Sequence, residues 1–115
     1  MEDNAARIVR EVTAWDGVTS RPHRYGGVEF VLHGRVLGHL HGSRWADIRF
    51  PRTIAEMLVE TGRAQPHHVL PDSGWVSHQI RDEQDAEAVV ELLRLSLERV
   101  RVAETVADAK QHDLL

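Results

Sequence analysis

Apolar residues recur at Ala5, Ile8, Val9, Val12 and Trp15, the i, i+3, i+4, i+7 spacing that draws one stripe along a helix. Asp3 or Asn4 stands where an N-cap accepts from free backbone N–H groups, and Asp16-Gly17 ends the pattern. Thr19-Ser20-Arg21-Pro22 reads as a loop. From Val28 the period falls to two: Val28, Phe30 and Leu32 alternate with Glu29, Val31 and His33, which predicts a strand. His33-Gly34 is a turn, Arg35 to His41 a second strand, Gly42-Ser43-Arg44 another turn, and Ala46 to Phe50 a third strand of an antiparallel meander. The register through His33-Gly34 is open. A two-residue loop places His39 on the face of Val28 and Phe30, and one more residue places Leu40 there instead.

A second helix is expected to start at Pro51, bury Ile54, Met57 and Leu58, and end at Gly62. His67 to Leu70 and Trp75 to Ile80 read as strands joined by the turn Pro71-Asp72-Ser73-Gly74. Asp82 caps a last helix whose stripe is Ala86, Val89, Val90, Leu93, Leu97 and Val100, running to about Lys110. Beyond Val100 the stripe thins, so residues 101–115 are expected to extend or fray. The order α-β-β-β-α-β-β-α predicts an α+β domain, an antiparallel sheet of about five strands with helices packed on one face.

Length gives one domain, 1–115, large enough for a core without disulfides. Cysteine is absent, which excludes thiolate metal sites and cysteine nucleophiles. The net charge of -4, from 14 basic and 18 acidic residues, argues against a nucleic-acid partner. Met1-Glu2-Asp3-Asn4 lacks the apolar run of a signal peptide, and no stretch has the length of a membrane span. A cytoplasmic protein is the expectation.

Histidine changes the picture. Seven of the eight histidines fall between positions 23 and 78, six of them in Pro22-His23-Arg24, His39-Leu40-His41, Pro66-His67-His68 and Ser77-His78, with Asp47 and Asp72 among them. His39 and His41, two apart on a strand, share a face. Asp47 can orient one imidazole, and His68 or His67 can supply a third ring, depending on register. His39, His41, Asp47 and His68 are the candidate catalytic residues. Trp75 is a candidate wall for a flat ligand, with His23, His67, Arg44 and Ser73 as further ligand contacts. Three uses of the cluster stand open: structural polar residues, a metal-free acid–base pocket, or a mononuclear site for zinc or non-haem iron with two or three imidazoles, His39 and His41 first, and Asp47 available to complete the shell. No cofactor is expected, and a transition metal is not favoured. Gly26-Gly27 lacks the context of a phosphate loop, and Ser73 has no nucleophile elbow around it.

The run Pro22-His23-Arg24-Tyr25-Gly26-Gly27-Val28-Glu29-Phe30, then Gly38-His39-Leu40-His41-Gly42, Ala46-Asp47-Ile48 and Pro66-His67-His68-Val69-Leu70-Pro71-Asp72-Ser73-Gly74-Trp75-Val76, resembles the luciferase-domain family, which includes the fungal luciferases and many small bacterial proteins. The resemblance runs from about Trp15 to Val100. It implies a shared pocket location and, at most, flavin-free oxidation of a small organic molecule. Where the fungal pattern carries another histidine after a Gly-Ser pair, Gly42-Ser43 here leads to Arg44, Trp45, Ala46 and Asp47. The expected partner is thus a small organic molecule. The alternative is a non-enzymatic interaction module using the sheet surface or the segment from Val102 to Leu115, with a homo-oligomer formed through the C-terminal helix.

Overall fold

A computed structural model describes residues 2–71 and 73–113. Helix α1 (Asn4–Thr13) is capped by Asp3, whose Oδ1 accepts the Ala6 N–H at 2.7 Å. Strands β1 (Val18–His23), β2 (Gly27–Leu32), β3 (Arg35–His41) and β4 (Trp45–Arg49) follow, then α2 (Arg52–Glu60), β5 (Gln65–Pro66), β6 (Trp75–Gln79) and α3 (Glu83–Asp113). The strands form one antiparallel sheet in the order β1-β2-β3-β4-β6-β5. Phe30, Leu40, Ile48 and Val76 meet Ile8 and Val12 of α1, Leu58 of α2 and Val89, Leu93 and Leu97 of α3 in one core. Asp82 accepts the Asp85 N–H at 2.8 Å, at the start of α3. None of the described helices is long and apolar enough to cross a membrane.

The fold is the expected α+β class, with six strands where about five were expected. Residues 19–22, expected as a loop, lie in β1. Only Val18 of that strand is buried, so no alternation marks it, and Pro22 sits at an edge where its missing N–H costs no ladder bond. The strand expected from His67 to Leu70 does not form. Pairing stops after Gln65 and Pro66, and the chain leaves the sheet as a loop. Asp72 of the expected turn lies outside the described residues. Pro51 caps α2 rather than opening its first turn. Beyond Val100, α3 stays helical to Asp113, tied to the body where the Arg101 guanidinium donates to the Asp16 carbonyl (2.9 Å) and Glu104 pairs with His33 (2.9 Å).

The hairpin register combines both sequence alternatives. His33-Gly34 is a two-residue loop with both residues at positive φ (50° and 79°), and Leu32 pairs with Arg35. Yet Phe30 pairs with Gly38 and Val31 with Val36, so Leu37 is an extra residue, a β-bulge. The bulge moves Leu40 opposite Val28 on the core face and puts His39 opposite Glu29. Buried Ser96 of α3 lies 2.7 Å from the Arg49 carbonyl and 3.1 Å from that of Leu37, its hydroxyl donating at the irregularity. Gly38 lets α3 approach there: a Cβ at that position would lie 2.6 Å from the Asp47 carbonyl oxygen and 3.0 Å from the Leu93 side chain.

Candidate functional site

On the face away from the core, one register row crosses all six strands: Arg21, Glu29, His39, Asp47, Ser77 and Gln65. Directly paired residues share a face, so the row gathers charge and imidazole on one surface. His41 lies two residues beyond His39, and Trp75 two residues before Ser77, which brings both onto this face.

Asp47 is the centre, with 1% of its surface exposed. A buried carboxylate needs hydrogen bonds to stay charged. Oδ1 accepts from the Ser77 hydroxyl at 2.6 Å, and Oδ2 from His41 Nε2 at 2.6 Å. His67 Nε2 stands 3.4 Å from Oδ2 and His39 Nδ1 3.8 Å from it. Three imidazoles thus converge on one carboxylate oxygen. The chemistry of the partners fixes two tautomers. A carboxylate only accepts, so His41 carries its proton on Nε2, and its side chain, 38% exposed, keeps a basic Nδ1. His67 Nδ1 accepts the N–H groups of Val69 and Leu70, both at 3.1 Å, so its proton is on Nε2 and faces Asp47.

His39 is different. Its ring lies between His23 (centroids 4.3 Å apart) and Trp75 (5.0 Å), both stacked on it. Its Nδ1 is buried without a hydrogen-bond partner. Burial first, then the neighbouring His23 and His41, push its pKa down to about 4, so this ring is neutral at pH 7. The Arg49 guanidinium lies 5.7 Å from the centroid of Trp75, extending the column. At the other end His23 Nδ1 stands 3.8 Å from Glu29, which pairs with Arg21 at 2.5 Å.

The structure therefore brings together His23, His39, His41, Asp47, His67 and Trp75. His68 stacks on the outer face of the group, 4.6 Å from His67, and is exposed. Arg44 is an exposed residue of the β3–β4 turn, with its carbonyl accepting from Ile80. Ser73 shapes the loop before β6, its hydroxyl donating to the Leu70 carbonyl and accepting the Trp75 N–H. His33 and His78 lie elsewhere, His78 on the core-side row with Ala46. Ser77, which fixes Asp47, and Glu29 and Arg49 were not among the catalytic or ligand-binding candidates of the sequence. The period-two relation of Ser77 to Trp75 was the available signal for it. A cleft of about 250 Å³ opens beside Trp75, lined by Val59, Pro66 and Ser73 among others.

Fold and site define a small α+β domain with a histidine–carboxylate cluster on the face of its sheet away from the core. Residues 34–96, more than half of the chain, match the family model for the Luciferase domain, and the chain belongs to that family. The matched segment holds His39, His41, Asp47, His67, Trp75 and Ser77. Comparisons with curated proteins and with solved structures give no significant match.

Proposed function

We propose that the protein binds a small organic molecule on this face of the sheet, against Trp75 and the His39 ring, and moves a proton on it. The observation that carries the reading is the buried Asp47 carboxylate holding His41 by Nε2–H. That bond leaves Nδ1 as the base and stabilises the imidazolium that forms when it takes a proton. Ser77 and His67 face the Asp47 carboxylate from its other sides. The edges of the His23–His39–Trp75 stack border the place for an aromatic or conjugated ligand. Family membership supports a finer reading, in which the deprotonated molecule is then oxidised by dioxygen.

The test is thermal-shift screening against aromatic lactones and phenols, followed by variants. A compound that stabilises the wild type should lose its effect in Trp75→Ala and His41→Gln and keep it in His33→Gln, which lies outside the cluster. Stabilisation indifferent to Trp75→Ala and His41→Gln would remove the reading.

A second reading has its own observation. Met57, Val102 and Val106 are exposed, and a groove of about 310 Å³ between α2 and α3 is lined by Ile54, Met57, Leu95 and Val102. These features support an interaction module, with α3 pairing with a second copy of the chain. Sedimentation of the full chain against a truncation after Val100 separates the two: self-association lost on truncation supports the module, and a monomer in both cases removes it.

A further inference from the structure

Three donor atoms of the cluster form a group that a proton does not fully satisfy. Asp47 Oδ1 is held by Ser77, which leaves Oδ2 presented to the imidazoles. His39 Nδ1 is aimed at Oδ2 from 3.8 Å, too far for a hydrogen bond, and has no other partner. An unpaired buried nitrogen is costly, so a group that engages it is favoured. His41 Nε2 completes the set. The donor atoms of His39, His41 and Asp47 all lie within 4.8 Å of one another. Two come from paired positions of adjacent strands and the third from two residues along, so the backbone ladder holds them in place before any ion arrives.

We infer that His39 Nδ1, His41 Nε2 and Asp47 Oδ2 bind a divalent first-row transition metal ion, of the zinc or ferrous class. Two imidazoles and one carboxylate are borderline donors suited to these ions, and three protein ligands leave positions open to an organic ligand. His67 is not a ligand in this arrangement. Its Nδ1 is occupied by two backbone N–H groups, so the neutral ring presents N–H and not a lone pair towards Asp47. It acts on the carboxylate, as Ser77 does. The inference rests on the reading that this cluster is the reactive centre. Ion and proton are alternatives on His41 Nε2: loaded, the cluster polarises a bound molecule; empty, it is the acid–base pair described above.

The experiment titrates chelator-treated, tag-free protein with zinc in calorimetry at pH 7.5, and with cobalt followed by its visible absorption. One equivalent should bind, with the His41 proton shifting from Nε2 to Nδ1, and the cobalt bands should show a low coordination number. His41→Gln, at a half-exposed position that the fold tolerates, should weaken zinc binding by about tenfold or more, as should Asp47→Asn, whereas His33→Gln and His68→Gln should not. No binding, binding at several weak sites, or binding lost equally in His33→Gln would overturn the inference. Small-molecule stabilisation is measured separately on the chelator-treated protein. If it persists while zinc fails to bind, only the metal site is lost.

Discussion

A single neutral ring, His39, has measurable thermodynamic weight. Its pKa is about 4 in the folded protein, because of burial and then His23 and His41, against an ordinary histidine value near 6.5 once unfolded. His23, His41, Asp47 and Glu29 are the titratable groups that face it. Between those two pH values the unfolded chain holds the extra proton. Stability is therefore full above about pH 6.5 and falls as pH drops towards 4, by at most about 3 kcal/mol from this residue. Urea unfolding at pH 7.5 and 4.5 checks it: His39→Gln should show a clearly smaller loss than the wild type, and an equal loss would show the ring is not the cause. The identity of the residues was legible at this scale. His39, His41 and Asp47 are visible as residue types at a strand spacing. Ser77 was harder to see: its period-two relation to Trp75 puts it on the same face, but only the pairing of β4 with β6 sets it against a buried carboxylate 30 residues earlier.

Among the elements, the hairpin of β2 and β3 decides the chemistry. A regular ladder from the His33-Gly34 turn would have turned His39 and His41 into the core and Leu40 outward. Leu37 prevents this, and nothing distinguishes it in the sequence from its apolar neighbours. At the bulge stands a contact from 59 positions away: the Ser96 hydroxyl lies 3.1 Å from the Leu37 carbonyl and 2.7 Å from that of Arg49. Ser96→Ala should therefore destabilise by about 1–2 kcal/mol in urea unfolding, through carbonyls left without their donor. Its lost stability should be accompanied by weakened ligand-induced stabilisation, whereas a purely local effect would leave the latter unchanged. The helices were legible because their stripes are long and capped. The edge strand β1 and the loop carrying His67 were not, because the first exposes nearly every side chain and the second is placed by Ser73 and by backbone bonds to a histidine.

At the scale of the whole molecule, α3 runs beyond the body of the domain. The Cα framework extends 52 × 30 × 24 Å, and the residues past Val100 contribute little to the core. Surface contacts such as Arg101 with Asp16 and Glu104 with His33 are worth about 1 kcal/mol or less each. Truncation after Val100 should leave a cooperatively folded domain with a melting temperature lowered by a few degrees, measured by circular dichroism. Loss of the cooperative transition would show that the tail is part of the core. The six-stranded sheet is open, and both its edge strands carry a residue without an amide hydrogen: Pro22, next to last in β1, and Pro66, last in β5. Each interrupts the line of donors that a stray strand from another molecule would need. The domain can thus expose its histidine-bearing face without its flanks becoming seeds for fibrous growth. Replacing Pro22 and Pro66 together with threonine should leave the monomer folded but make it scatter light on prolonged warming, whereas the parent stays clear.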